Sequence, residues 1–113
     1  MLEGYSVAVY KLNNALTPEI IDDILQQIHN YSESQKQRAK EILLKNANKE
    51  YIVYVSETYG EDAYEPGTVS RIECVQAHED DDPDEFKAIE CANDVLWKLE
   101  KSGYVTNIAS VSY

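Results

Sequence analysis

Apolar and polar residues alternate over residues 5–12 (YSVAVYKL), where Val7 and Val9 are separated by smaller residues, and this predicts a strand. The period then changes. Ile20, Ile21, Ile24, Leu25 and Ile28 recur at helical spacing behind Thr17, Pro18 and Glu19, which suit an N-cap, a first helical position and the positive end of a helix dipole. A second helical stretch, SESQKQRAKEILLKNANKE, has a narrow apolar face of Ala39, Ile42, Leu43 and Ala47, with Ser32 or Ser34 able to cap it. Residues 51–57 (YIVYVSE) and 68–77 (TVSRIECVQA) predict two more strands, joined by the turn-rich TYGEDAYEPG. The pattern DPDEFKAIECANDVLWKLEKSG predicts a long helix. Phe86, Ile89, Ala92, Asn93, Leu96 and Leu99 fall near one face of it, Trp97 lies at the margin, and Gly103 is placed to end it. YVTNIASVSY predicts a final strand.

The resulting order, β-α-α-β-β-α-β, predicts an α+β domain spanning residues 1–113. It matches a ferredoxin-like split βαβ: a four-stranded antiparallel sheet with the helices on one face. Such a sheet leaves its other face open. Nine tyrosines are present, and several fall on the predicted strands. The expectation is that tyrosine rings shield the open face or form an interface there.

Composition changes the picture mainly through charge. The chain of 113 residues carries a net charge of −11, and the charge is segregated. Eleven acids lie between Glu57 and Glu85 against Arg71 alone, and HEDDDPDEF packs six carboxylates into nine residues. A surface of this sign disfavours direct binding to nucleic acid or anionic lipid and favours partners with basic surfaces. Lys36, Arg38, Lys40, Lys45 and Lys49 make the second helix the one basic region. No apolar run is long enough to cross a membrane and no secretion signal is evident, which predicts a cytoplasmic protein.

Several chemistries fail when tested against spacing. A calcium loop begun at Asp80 would have Asp82 and Asp84 at its third and fifth positions. It would then need Gly where Glu85 stands and Glu where Cys91 stands. Cys74 and Cys91 are too few for a disulfide framework or a zinc site. His29 and His78 have no ligand-spaced neighbour, and no nucleophile elbow or phosphate loop is present. Cys91 with a distant histidine would make a nucleophile pair, but nothing local supports one. The strands lack the basic and aromatic pattern of an RNA-binding sheet. No catalytic residue, cofactor or metal site is therefore expected.

Within HEDDDPDEF, Asp82 serves as an N-cap, Pro83 as the first helical residue and Glu85 as the reciprocal partner of a capping box. That leaves Glu79, Asp80 and Asp81 without a structural task. An extended chain rises about 3.3 Å per residue, so this run approaches the phosphate spacing of a DNA strand, about 3.4 Å. The expectation is a non-enzymatic interaction module, an inhibitor or nucleic-acid-mimicking decoy. Its contact residues would be Glu57, Tyr59, Glu61, Asp62, Tyr64, Glu65, Glu79, Asp80 and Asp81, and its partner a protein with a basic, nucleic-acid-binding surface. In size and charge alone it resembles small acidic proteins of phages and other mobile elements, such as anti-CRISPR and anti-restriction proteins; no motif carries that likeness. The alternative is a regulatory or housekeeping domain that forms a homodimer through its open, tyrosine-bearing sheet face.

Overall fold

The computed structural model describes residues 2–60, 67–72, 75–78 and 82–112. Eight elements follow one another: β1 (Leu2–Leu12), α1 (Pro18–Leu25), α2 (Glu33–Lys45), β2 (Tyr51–Gly60), β3 (Gly67–Ile72), β4 (Val75–His78), α3 (Pro83–Lys101) and β5 (Val105–Ser112). The α+β class is as expected, with one five-stranded antiparallel sheet in the order β4-β3-β2-β1-β5.

The expected four strands are five because residues 68–77 do not form a single strand. Ile72 is paired with Val75, so β3 folds back on β4 across residues 73 and 74. The stretch contains neither of the residues that most often mark a tight hairpin, Gly and Asn, so its alternation reads as uninterrupted. The pairing of β1 also differs from the split βαβ expectation. There, another strand separates the two strands joined by a helical crossover. Here β1 and β2 are direct antiparallel neighbours from Leu2 opposite Gly60 to Lys11 opposite Tyr51. The pair α1 and α2 is an excursion between adjacent strands. Only α3 makes a long crossing, from β4 at one edge to β5 at the other. Four inter-strand spacings amount to about 19 Å. The 19 residues of α3 are about 28 Å long, enough for that crossing.

Local chemistry sets the helix ends. Thr17 Oγ1 accepts from the Ile20 amide at 3.3 Å. Ser32, rather than Ser34, caps α2 and forms a reciprocal capping box with Gln35. Asp82 accepts from the Glu85 amide at 3.1 Å. Beyond α3, Gly103 adopts φ 86°, and the Tyr104 amide reaches back to the Leu99 carbonyl at 3.0 Å. A side chain at Gly103 would be strained by that positive φ.

The core lies between the helices and one face of the sheet. Register places Ala8, Tyr10 and Leu12 of β1 on that face beside Ile52 and Tyr54 of β2. Ser70 and Ile72 of β3, Ala77 of β4 and Val105 of β5 share it. Ile21, Ile42, Leu43, Ile89, Leu96 and Leu99 meet it from the helices and are fully buried. Ile28, just past α1, is buried as its place in the stripe predicts. The tyrosine expectation is corrected for two strand residues only. Tyr10 and Tyr54 are core residues on the helix-covered face, because both lie in phase with Ile52 and Ile72. The open face carries Val7, Val9, Val53, Val55, Val69 and Val111, and register gives Tyr5, Tyr51 and Tyr59 positions on it as well.

Candidate interaction surface

The acids of the Glu57–Glu85 region divide according to what they touch. Glu57 lies opposite Val69, and one of its carboxylate oxygens is 3.7 Å from the Arg71 guanidinium. Asp82 caps α3, and Asp84 accepts from the Gln35 side chain at 3.3 Å. Glu85 does not close the expected capping box. Its carboxylate turns to Arg38, whose Nε donates to both oxygens at 3.0 Å. That pairing holds the Arg38 guanidinium even more firmly protonated than usual. Lys40 is likewise engaged, 2.9 and 3.0 Å from the two oxygens of Asp22. Two cations of the basic helix thus join α2 to α1 and α3. Sequence spacing alone does not reveal this, because the partners lie 18 and 47 residues away.

Among the expected contact residues, Tyr59 stands on β2 opposite Gly67. Glu61, Asp62, Tyr64, Glu65, Glu79, Asp80 and Asp81 lie outside the described residues. The strand ends that flank them are described. β2 and β4 run in the same direction on either side of β3, and Val69 is opposite both Glu57 and His78. Segment 61–66 leaves from the end of β2 and segment 79–81 from the end of β4. The two acidic segments therefore depart from one end of the sheet, from strands about 10 Å apart.

A polar cluster that sequence reasoning missed lies under α3. The Tyr54 hydroxyl donates to Glu90 Oε1 at 2.7 Å, and the Ser70 hydroxyl donates to the same oxygen at 3.1 Å. Burial, with Glu90 beside it, pushes the Tyr54 hydroxyl well above its usual range. One turn along, Tyr31 donates to Asp94 at 2.6 Å and is raised by burial and by that carboxylate. Between the two carboxylates on α3 sits Cys91, fully buried, its thiol pushed up to about 11 by burial and by Asp94. A thiol so held is protonated near neutral pH and is a poor nucleophile. The only sequence signal for this cluster was polar residues on an otherwise apolar face, and it does not say which strand supplies the partners.

The described surface carries shallow grooves rather than an enclosed cavity. One of them, about 350 Å3, is bordered by His29, Asp94, Trp97 and Lys98. Trp97 is half exposed, and the Lys101 ammonium lies 4.4 Å from its ring centre. Among the described residues no three His, Cys, Asp or Glu side chains gather as a metal site, and no helix is long and apolar enough to cross a membrane. No protein-family model, curated protein or solved structure matches this chain.

Proposed function

We propose that the chain is a protein-binding module whose acidic end occupies a basic, nucleic-acid-binding surface of a partner. It would thus act as an inhibitor or decoy rather than as an enzyme. The observation that supports this reading is the departure of segments 61–66 and 79–81 from the same end of the sheet. These two segments hold Glu61, Asp62, Glu65, Glu79, Asp80 and Asp81. Charges gathered at one end attract a basic groove and raise the association rate in a salt-dependent way. Of the 21 acids and 10 Lys and Arg in the chain, 11 acids and Arg71 alone lie from Glu57 to Glu85, so the excess negative charge falls almost wholly in that stretch. By analogy of size and charge alone, proteins that phages use against host defence would act in this manner.

The test is a purified complex with a partner captured from the native host. Affinity should fall as sodium chloride rises from about 0.1 M to 1 M, where the Debye length shrinks from about 10 Å to about 3 Å. Single- or double-stranded oligonucleotides should compete. Glu61→Gln/Asp62→Asn/Glu65→Gln and Glu79→Gln/Asp80→Asn/Asp81→Asn should both weaken the complex while keeping the fold. A complex indifferent to salt, oligonucleotide and both variants rules the decoy reading out.

A second reading, a regulatory domain that associates through its open sheet face, has its own supporting observation. The valines of that face stand apart from the helix-packed cluster; Val55 and Val69 are buried, whereas Val7, Val9 and Val53 remain partly exposed. Lysine at Val53 would abolish such an association and leave the acidic end untouched.

A further inference from the structure

We infer that β5 is the seam of a homodimer, in which the β5 strands of two copies pair antiparallel and continue one sheet through both. The inference does not depend on the acidic end. β5 pairs with β1 on one side and is an edge of the sheet on the other. An edge strand presents a row of backbone donors and acceptors to any strand that can approach. Natural edges are commonly blunted with charge or proline. From Val105 to Ser112 there is neither, in a chain where 27 % of residues are charged. Behind it, Lys11 is the only charged residue between Gly4 and Leu12 of β1. Two of the four large apolar side chains most exposed among the described residues, Ile108 at 51 % and Val111 at 43 %, are on this strand.

The occupant that fits is a second copy, on three grounds. Two chains of charge −11 repel one another, so they associate best where the surface is neutral, and β5 is such a place. The strand also matches itself. Ala109 and Val111 share the open face with Val9 and Val7, whereas Ser110 and Ser112 share the other face with Ala8 and Ser6. Antiparallel pairing of like faces sets aliphatic against aliphatic and serine against serine. The latter contact already exists within one chain, where the Ser6 and Ser112 hydroxyls are 3.0 Å apart. Finally, β5 against β5 is a twofold contact that closes at two copies, whereas β5 against β4 would propagate without end. The bulge between Val9 and Tyr10 interrupts the ladder, but the Asn107 amide holds it by donating to the Val9 and Ala109 carbonyls at 3.4 and 3.2 Å. The Ser110 hydroxyl donates to Asn107 at 3.0 Å. From Ala109 to Ser112 the strand is again in regular register with β1, and this half offers the seam.

Sedimentation equilibrium of the full chain tests the proposal. The expected result is a species of twice the 12.9 kDa chain mass. Dimerisation should strengthen as salt rises, because screening relieves the repulsion between copies. That is the opposite sign to the acidic complex, so failure of one reading is distinguishable from failure of the other. Val111→Lys and Ser112→Lys lie on opposite faces of the strand and are both exposed. Each should weaken dimerisation by up to about fivefold, since a lysine on both strands of the seam lies opposite or diagonal to its own copy and like charges so placed are destabilising. Circular dichroism should show both variants folded. Hydrogen exchange of the wild type gives a readout independent of variants: outward amides between Ala109 and Ser112 should be protected in concentrated samples and lose protection on dilution. A wild-type chain that stays monomeric up to about 1 mM overturns the proposal. So does a dimer sensitive to Val111→Lys but not to Ser112→Lys, which would indicate packing through the open face, or one whose β5 amides exchange freely.

Discussion

The two faces of the sheet are made by alternate residues of the same strands, yet they follow different rules. On the helix-covered face the central positions have specific neighbours. Ile52 and Ile72 are fully buried, and the hydroxyls of Tyr54 and Ser70 converge on one oxygen of Glu90. A buried hydroxyl without an acceptor carries a desolvation cost, so the polar residues of this face come as a set. The open face combines valines with the positions of Tyr5, Tyr51 and Tyr59, and Glu57 and Arg71 supply an ion pair 3.7 Å across. No packed helix dictates shape there, and substitutions meet fewer constraints. The comparison teaches that Tyr and Val, both good strand formers, take roles set by the face they occupy rather than by residue type.

Core substitution should separate the faces most strongly. Replacing Leu96 or Ile72 by Ala, both fully buried, should cost about 2–5 kcal/mol in denaturant unfolding, whereas Val111→Ala should change stability by less than about 0.5 kcal/mol. Similar losses at both positions would break the comparison. Next comes the polar set. Glu90→Ala leaves two hydroxyls without their acceptor and should cost about 1–3 kcal/mol. Tyr54→Phe removes one donor while Ser70 keeps Glu90, so its hydrogen-bond loss should be about 0.5–1.5 kcal/mol. If Tyr54→Phe proves the costlier of the two, the hydroxyls do not depend on Glu90.

At the start of α3 the effects are smaller and of mixed sign. Asp82→Ala should cost about 0.5–2 kcal/mol through loss of the cap. Asp80→Asn/Asp81→Asn should leave the melting temperature unchanged or raise it, as repulsion within the run falls. A large loss from that pair, together with stabilisation of the wild type by calcium, would point to a metal site.

The smallest effect near neutral pH comes from the groups beneath α3. Cys91, Tyr31 and Tyr54 all hold their protons more tightly when folded, the first two beside Asp94 and the last beside Glu90. Above about pH 8.5 the unfolded thiol begins to release its proton while the folded one keeps it, so the native state binds more protons and stability falls with rising pH. The tyrosines add the same sign from about pH 10. Their contribution is complete below these values and is lost on the alkaline side. Melting temperatures measured from pH 7 to 11 should be insensitive to these groups at first and then decline. A rise above pH 9 would contradict the burial of Cys91.

What the sequence determined by itself was local. The strand starting near Tyr5, the three helical stripes, the caps at Thr17, Asp82 and Gly103, and a serine cap on α2 at Ser32 or Ser34 all rest on contacts within a few residues, or on the backbone preference of one. Periodicity and capping report such contacts directly. The sequence also revealed the acidic run, because charge is legible without a fold. The tertiary structure decided the rest. Alternation along β1 and β2 separates Tyr10 and Tyr54 from Val9 and Val53, but both sets are apolar enough to face a helix. Only the packing of the stripes on the even-numbered side sends the tyrosines into the core. The hairpin between Ile72 and Val75 carries no turn signal, and the adjacency of β1 and β2 joins residues up to 58 positions apart. Arg38 meets Glu85 and Tyr54 meets Glu90 for the same reason: their pairing is settled by how layers stack, and no short-range pattern in the chain encodes that stacking.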